Sequence, residues 1–288
     1  MRLGATISTY YQTEDPDDYV HECKQRGYRA APCPTVRLHE TEKLRAIEKA
    51  FANADIRIAE VEAWWNALDP NQERRRRARR LITEGLAIGD EVGAVCCVAV
   101  VGSHSTIEDE FIANDAPHPD NFSAATFDAV IEWVRAVLKD ANPRRTKLSL
   151  EMSPWTILES PEVYHKIIYA VDHSGLAVHL DPSNNIRNAQ LYYSSTYLLN
   201  YSFDLLGRWI VSCHAKDVRQ TPPPYPNVIG FQEVIPGQGI IDYRTFLKRI
   251  EGLSTDMPLL IEHLKTPAEY EEAAQYIRGM AQEIGATT

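Results

Sequence analysis

The chain has 288 residues, 44% of them hydrophobic, enough for a substantial core in one barrel or two smaller domains. A formal net charge of −10 gives no general attraction to phosphate polyanions or anionic membranes, so neither nucleic acid nor membrane is expected as a partner. Five cysteines (Cys23, Cys33, Cys96, Cys97, Cys213), an odd count with no CxxC pair, fit a reducing cytoplasm. The start MRLGATISTYY reads as neither signal peptide nor anchor.

Short apolar runs alternate with longer segments of helical period along the whole chain. RLGATIS (2–8) reads as the first strand. A helix follows, with Asp15 and Pro16 at its N-cap and N1 positions and an end near Gly27. YRAAPCP (28–34), IRIAEVE (56–62) and AVCCVAVVG (94–102) are the next three strands. Between the third and fourth, ERRRRARR (73–80) with Ala78, Leu81 and Ile82 reads as a helix whose arginines form a solvated or inter-subunit face. Phe127, Val130, Ile131, Val134, Val137 and Leu138 form the apolar stripe of a later helix. KLSLE (147–151), LAVHLD (176–181) and WIVSCH (209–214) then read as strands, and Arg219–Gly239 as a long proline-rich loop, a wall over the site or a subunit contact. Tyr243, Phe246, Leu247 and Ile250 mark another helix before the eighth strand, PLLIE (258–262). The last helix opens on TPAE, a capping box with Thr266 as N-cap and Glu269 at N3. Eight alternations without a composition shift predict a single (β/α)8 TIM barrel spanning residues 1–288. A doubly wound sheet would need a glycine-rich turn after the first strand, and ISTYYQTED has none.

In such a barrel chemistry sits at the C-terminal rim, and side chains alternate between interior and helix layer. Four consecutive strands end in Glu151, Asp181, His214 and Glu262, each preceded by a residue suited to pack outward (Leu150, Leu180, Cys213, Ile261). Alternation therefore turns three carboxylates and an imidazole toward one point. Uncompensated, the carboxylates would repel one another and take up protons. A divalent cation removes that repulsion, and this ligand set suits Mn²⁺, Mg²⁺ or Co²⁺, with Zn²⁺ as a further alternative.

EMSPW, HLDPSN, CHAKD with PGQG downstream, and IEHL resemble the last four strand ends of the xylose isomerase-like TIM barrels. That superfamily contains sugar isomerases and epimerases, inosose dehydratase and endonuclease IV. The resemblance covers nearly the whole chain in order and length, but its specific motifs lie between residues 151 and 262. It implies Glu151, Asp181, His214 and Glu262 as metal ligands and, by the ketose 3-epimerase branch, Glu151 and Glu262 as an acid/base pair on opposite faces of a small sugar or polyol. That branch places a histidine three residues after the aspartate and an arginine six after the metal histidine, where this chain has Asn184 and Gln220. The HxKD form is closer to the inosose dehydratase and polyol branch, so the implied activity is an isomerase or epimerase working through an enediolate, with a carbon–oxygen lyase as the alternative. The three-zinc nuclease branch needs additional histidines and basic loops, and only His104 is available to start such a cluster. Barrels of this family commonly associate, which leaves a homo-oligomer open.

Several further residues are expected to touch substrate. Lys216 and Asp217 follow the metal histidine on the rim, the first holding a substrate oxygen and the second orienting it. AEVEAWWN places Glu60, Trp64, Trp65 and Asn66 at the rim of the third strand, where an aromatic such as Trp65 can cover a sugar face. Asn184 and His104 complete the set. His179 shares the inward face of Asp181 one layer deeper and is expected to support the site rather than ligate; His263 is expected to point away from it.

Overall fold

The computed structural model describes residues 1–221 and 229–288. Strands and helices alternate as β1 (Arg2–Ala5), α1 (Pro16–Gln25), β2 (Ala30–Ala31), α2 (Thr41–Ala54), β3 (Arg57–Ile58), β4 (Glu60–Ala63), α3 (Gln72–Val92), β5 (Cys96–Ala99) and α4 (Ala124–Ala141). They continue as β6 (Lys147–Glu151), α5 (Pro161–Val171), β7 (Leu176–Leu180), α6 (Ala189–Tyr192), α7 (Ser195–Leu206) and β8 (Ile210–Ala215). The chain then runs through β9 (Asp217–Thr221), β10 (Gly230–Val234), α8 (Tyr243–Leu253), β11 (Pro258–Ile261) and α9 (Pro267–Glu283).

Nine strand segments form one sheet in the order β3-β2-β1-β11-β8-β7-β6-β5-β4. All eight neighbouring pairs are parallel. Its two ends, β3 and β4, are one stretch of chain divided at Ala59. The Ala59 N–H donates to Ala31 while its carbonyl accepts from the Cys96 N–H, so the pairing passes from β2 to β5 at this residue. The nine segments are thus the eight expected strands of a TIM barrel, with the third split across the seam. Inside the closed sheet, space is tight: a Cβ on Gly4 would lie 1.9 Å from the Ala30 carbonyl oxygen, so the close approach of β1 and β2 requires glycine there.

The helices bury the faces their periodicity marks. On α8, Tyr243, Phe246, Leu247 and Ile250 are at most 1% exposed, and each such side chain contributes about 1.5–3 kcal/mol relative to exposure. Asp15 caps α1, and the Thr266/Glu269 capping box closes the first turn of α9. The arginines of α3 pair at the surface of the chain with Glu73, Glu110 and Asp140, and Arg77 lies over the Trp65 ring. All five cysteines are free. Among the described residues no helix is long and apolar enough to cross a membrane.

One part of the chain differs from expectation. The segment read as a long loop contains β10 and the end of β9, an antiparallel arm whose register pairs Asp217 with Val234 and Thr221 with Gly230. The β-branched and aromatic residues Val218, Thr221, Phe231 and Val234 support these strands, while the prolines that dominate the composition fall at 222–228, outside the described residues.

Candidate metal centre and active site

Glu151 is the last residue of β6, Asp181 and Glu262 stand one residue beyond β7 and β11, and His214 is the penultimate residue of β8. The alternation of these strands turns all four side chains inward, and a register shift between Val178 and His179 adjusts the end of β7 against β8. One ligand atom from each of the four residues lies within 4.8 Å of every other. All four are buried. Their outer atoms are held in place: Asp181 Oδ1 accepts from the Ser183 N–H (2.9 Å) and hydroxyl (2.6 Å), and Asn184 donates to Glu151 Oε1 at 2.6 Å. Toward the centre, Asp181 Oδ2 and His214 Nδ1 are buried polar atoms with no aligned hydrogen bond. Each faces an ion-pair partner, Lys216 at 2.8 Å and Glu262 at 2.7 Å, and three carboxylates with one imidazole nitrogen turned to a common point are a donor set that fits a divalent cation.

Lys216 lies elsewhere than on the open rim. Its side chain is 4% exposed, and the ammonium is 2.8 Å from Asp181 Oδ2, 2.7 Å from Glu262 Oε1 and 3.8 Å from Glu151 Oε1. Three converging carboxylates draw the nearest cation into their midst. Burial disfavours its charged form, but Asp181, Glu262 and Glu151 outweigh burial and hold the lysine protonated well above its ordinary range. His214, 2.7 Å from Glu262 and 3.0 Å from Glu60, is likewise raised against the opposing effect of burial.

The two glutamates are driven in opposite directions. Burial pushes Glu151 up to about 7, with Lys216 and His214 offsetting only part of the effect. Burial acts the same way on Glu262, but contact with His214 and Lys216 prevails and holds it well below the usual carboxylate range. Carboxyl groups whose surroundings separate their proton affinities in this way are suited to opposite acid and base roles.

Above these groups opens a cavity of about 340 Å³, in the size range of small-molecule sites. Glu151, Glu262, Asn184 and Lys216 line it, as do Glu62, Trp64, Glu233 and His263. Trp65 packs against Arg77 outside this cavity. Glu60 is fully buried beneath the site because β4 continues to Ala63, so the inward residue two positions later, Glu62, is the one that reaches the mouth. Its side chain meets solvent through the cavity, yet the surrounding walls and the neighbouring carboxylates of Glu60 and Glu262 push it up to about 7.

Asp217 turns away from the cavity into the arm. Its carboxylate accepts from the backbone N–H groups of Val218, Gly237, Gly239 and Ile241, so the PGQG turn is committed to an internal carboxylate. His104 contacts Thr126 at 2.8 Å and belongs to the network of the loop after β5. His179 lies a layer down as expected, fully buried and 2.6 Å from the Ser212 hydroxyl. His263 departs from its expected outward direction. Its left-handed backbone (φ 60°) breaks strand alternation and brings Nδ1 to 2.9 Å from Glu233 on the arm. Glu62 and His263 were accessible to sequence reasoning only through neighbours of residues already marked: i+2 from Glu60 and i+1 from Glu262.

A family model described as a xylose isomerase-like TIM barrel matches residues 20–280. The chain belongs to the xylose isomerase-like TIM barrel family. Among solved structures it is similar to a xylose isomerase-like TIM barrel protein from Mycobacterium smegmatis in complex with magnesium, at 15% identity over 99% of this chain and 98% of that one, TM-score 0.70. It is similar to D-psicose 3-epimerase from Clostridium cellulolyticum with D-tagatose, at 13% identity over all of both chains, TM-score 0.70. Endonuclease IV from Thermus thermophilus matches at 17% identity over 98% of this chain and 100% of that one, TM-score 0.70. No curated protein matches by sequence. At these identities the xylose isomerase-like family supplies a shared fold, and members of that fold carry different chemistries.

Proposed function

We propose that this member of the xylose isomerase-like family is a divalent-metal-dependent enzyme that isomerises or epimerises a small carbohydrate or cyclic polyol. The observation that carries the reading is the convergence of Glu151, Asp181, His214 and Glu262 below a cavity open to a small molecule. These four residues would hold the ion, with Mn²⁺ the best suited and Mg²⁺, Co²⁺ or Zn²⁺ as alternatives. When bound, it supplies electrophilic stabilisation of negative charge developing on a substrate carbonyl oxygen. One of the two glutamates takes the proton α to that carbonyl; the C–H electron pair forms the new carbon–carbon double bond and the carbonyl π pair moves onto oxygen, giving an enediolate. The other returns a proton to the opposite face or the adjacent carbon. Asn184 orients Glu151 for this transfer. Lys216, relieved of part of its contact with Asp181 and Glu262, holds a substrate oxygen. The acidic mouth, with Glu62, Asp115 and Glu233 among its lining groups, favours a neutral polyhydroxylated ligand over a nucleic acid.

Glu62 favours a second reading, in which a β carbon–oxygen bond breaks after the same proton abstraction. Its carboxyl group, pushed up to about 7, faces the cavity and can protonate the departing oxygen. The two outcomes separate by proton NMR in D₂O of the manganese- or magnesium-loaded protein with ketoses, inososes and 3-keto glucosides. Deuterium at the α carbon with a new sugar supports isomerisation or epimerisation; deuterium with a new alkene signal supports the lyase. A metal-loaded protein that exchanges no α-proton across the panel contradicts both.

A further inference from the structure

Beneath the proposed metal centre lies a chain of fully buried polar side chains: Cys96, Ser212, His179, Glu60 and His214. Ser212 Oγ is 3.3 Å from Cys96 Sγ and 2.6 Å from His179 Nδ1, and His179 Nδ1 is 3.6 Å from Glu60 Oε2. Glu60 Oε1 lies 3.0 Å from His214 Nε2, while Glu60 Oε2 makes no hydrogen bond. Among the described residues, Glu60 has no lysine or arginine within ion-pair distance; its charged or chargeable partners are the two histidines. Burying a carboxylate without a permanent cation costs several kcal/mol. In this position the one aligned hydrogen bond goes to the far nitrogen of a proposed metal ligand.

We infer that Glu60 is a positioning residue for the metal centre, whose carboxylate accepts the His214 Nε2–H, fixes the plane of the ring and directs its Nδ1 lone pair at the cation. A neutral imidazole has one donor and one acceptor nitrogen, so a proton kept on Nε2 leaves Nδ1 free to ligate. The acceptor also increases the donor strength of the ring, as outer carboxylates do for metal-bound histidines generally. The His179 ring packs edge-on against the imidazole, with centroids 3.9 Å apart and planes inclined at 68°, and restricts its rotation. Glu60, His179 and His214 also bring one ligand-type atom each within 4.8 Å. An ion there would compete with the Glu60–Nε2 hydrogen bond for the same nitrogen, so this trio is assigned to support and not to a second ion. The inference rests on the metal reading given above.

Calorimetric titration of the full chain with Mn²⁺ tests it, comparing the parent with Glu60→Gln and Glu60→Leu. The parent is expected to bind one ion. Glu60→Leu should bind about 10–100-fold more weakly, and Glu60→Gln, whose amide oxygen can take the same proton, should recover most of that loss. Undiminished binding by Glu60→Leu beside a binding parent overturns the inference alone, as do two ions per parent chain. A parent that binds no ion overturns the metal reading and this inference with it. Should Glu60→Leu fail to fold, long-range ¹⁵N–¹H spectra of the magnesium-loaded parent decide. A His214 proton on Nε2 is expected, and one on Nδ1 overturns the assignment.

Discussion

Replacing Lys216 by methionine should expose how the carboxylates of this site are balanced. The ammonium lies 2.7 Å from Glu262 and 2.8 Å from Asp181, with 4% of the side chain exposed. Methionine retains much of the volume and removes the charge, leaving Asp181, Glu262 and Glu151 with His214 as their nearest cation. Removing one partner from a buried ion pair costs about 3–5 kcal/mol, which for a chain of this size lowers Tm by roughly 5–8 °C. A divalent ion restores the missing charge at the same atoms, so Mn²⁺ should raise the Tm of Lys216→Met by more than it raises that of the parent. The assay is thermal unfolding followed by circular dichroism, with EDTA and with excess Mn²⁺. Equal Tm values in EDTA would refute the charge-compensating role of Lys216, and an equal or smaller metal response in the variant would refute the shared location of ammonium and ion.

Two other residues yield independent tests. Asp217→Ala removes the acceptor for four backbone N–H groups, two of them, on Val218 and Ile241, in fully buried hydrogen bonds. Leaving two buried donors unsatisfied should cost about 2–6 kcal/mol in urea unfolding; a loss below about 1 kcal/mol would contradict the role given to Asp217. Glu62 has a folded-state proton affinity raised from its ordinary value of 4.5 to about 7, so its contribution to stability is fully present below 4.5 and is lost as pH rises through 7. Glu62→Gln removes this dependence. The Tm of the variant relative to the parent should climb between pH 4.5 and about 7 and then level off, and a difference independent of pH would contradict the assignment.

The parts of the molecule that could be read from sequence are those governed by short-range periodicity. Period-two alternation at Leu150–Glu151, Leu180–Asp181, Cys213–His214 and Ile261–Glu262 was sufficient to bring four strand ends to one point. The stripes of α4 and α8 and the caps of α1 and α9 follow from equally local rules. What stayed hidden depends on longer-range facts. The depth of Glu60 is set by where β4 ends against β5, and one layer of difference gives the rim position expected of Glu60 to Glu62. Alternation fails at His263 because the backbone there is left-handed. Lys216 enters the carboxylate ring because the summed charge of residues on three other strands draws it in. The β9–β10 arm was masked by the prolines beside it, although its paired residues are ordinary strand formers.

In the proposed function, Glu151, Asp181, His214 and Glu262 together bind one divalent ion. Crystals soaked in Mn²⁺ and measured at a wavelength where manganese scatters anomalously test it most directly. One strong anomalous peak is expected within bonding distance of all four side chains, absent from crystals of His214→Ala. A peak away from these residues, or none at saturating Mn²⁺, would contradict it.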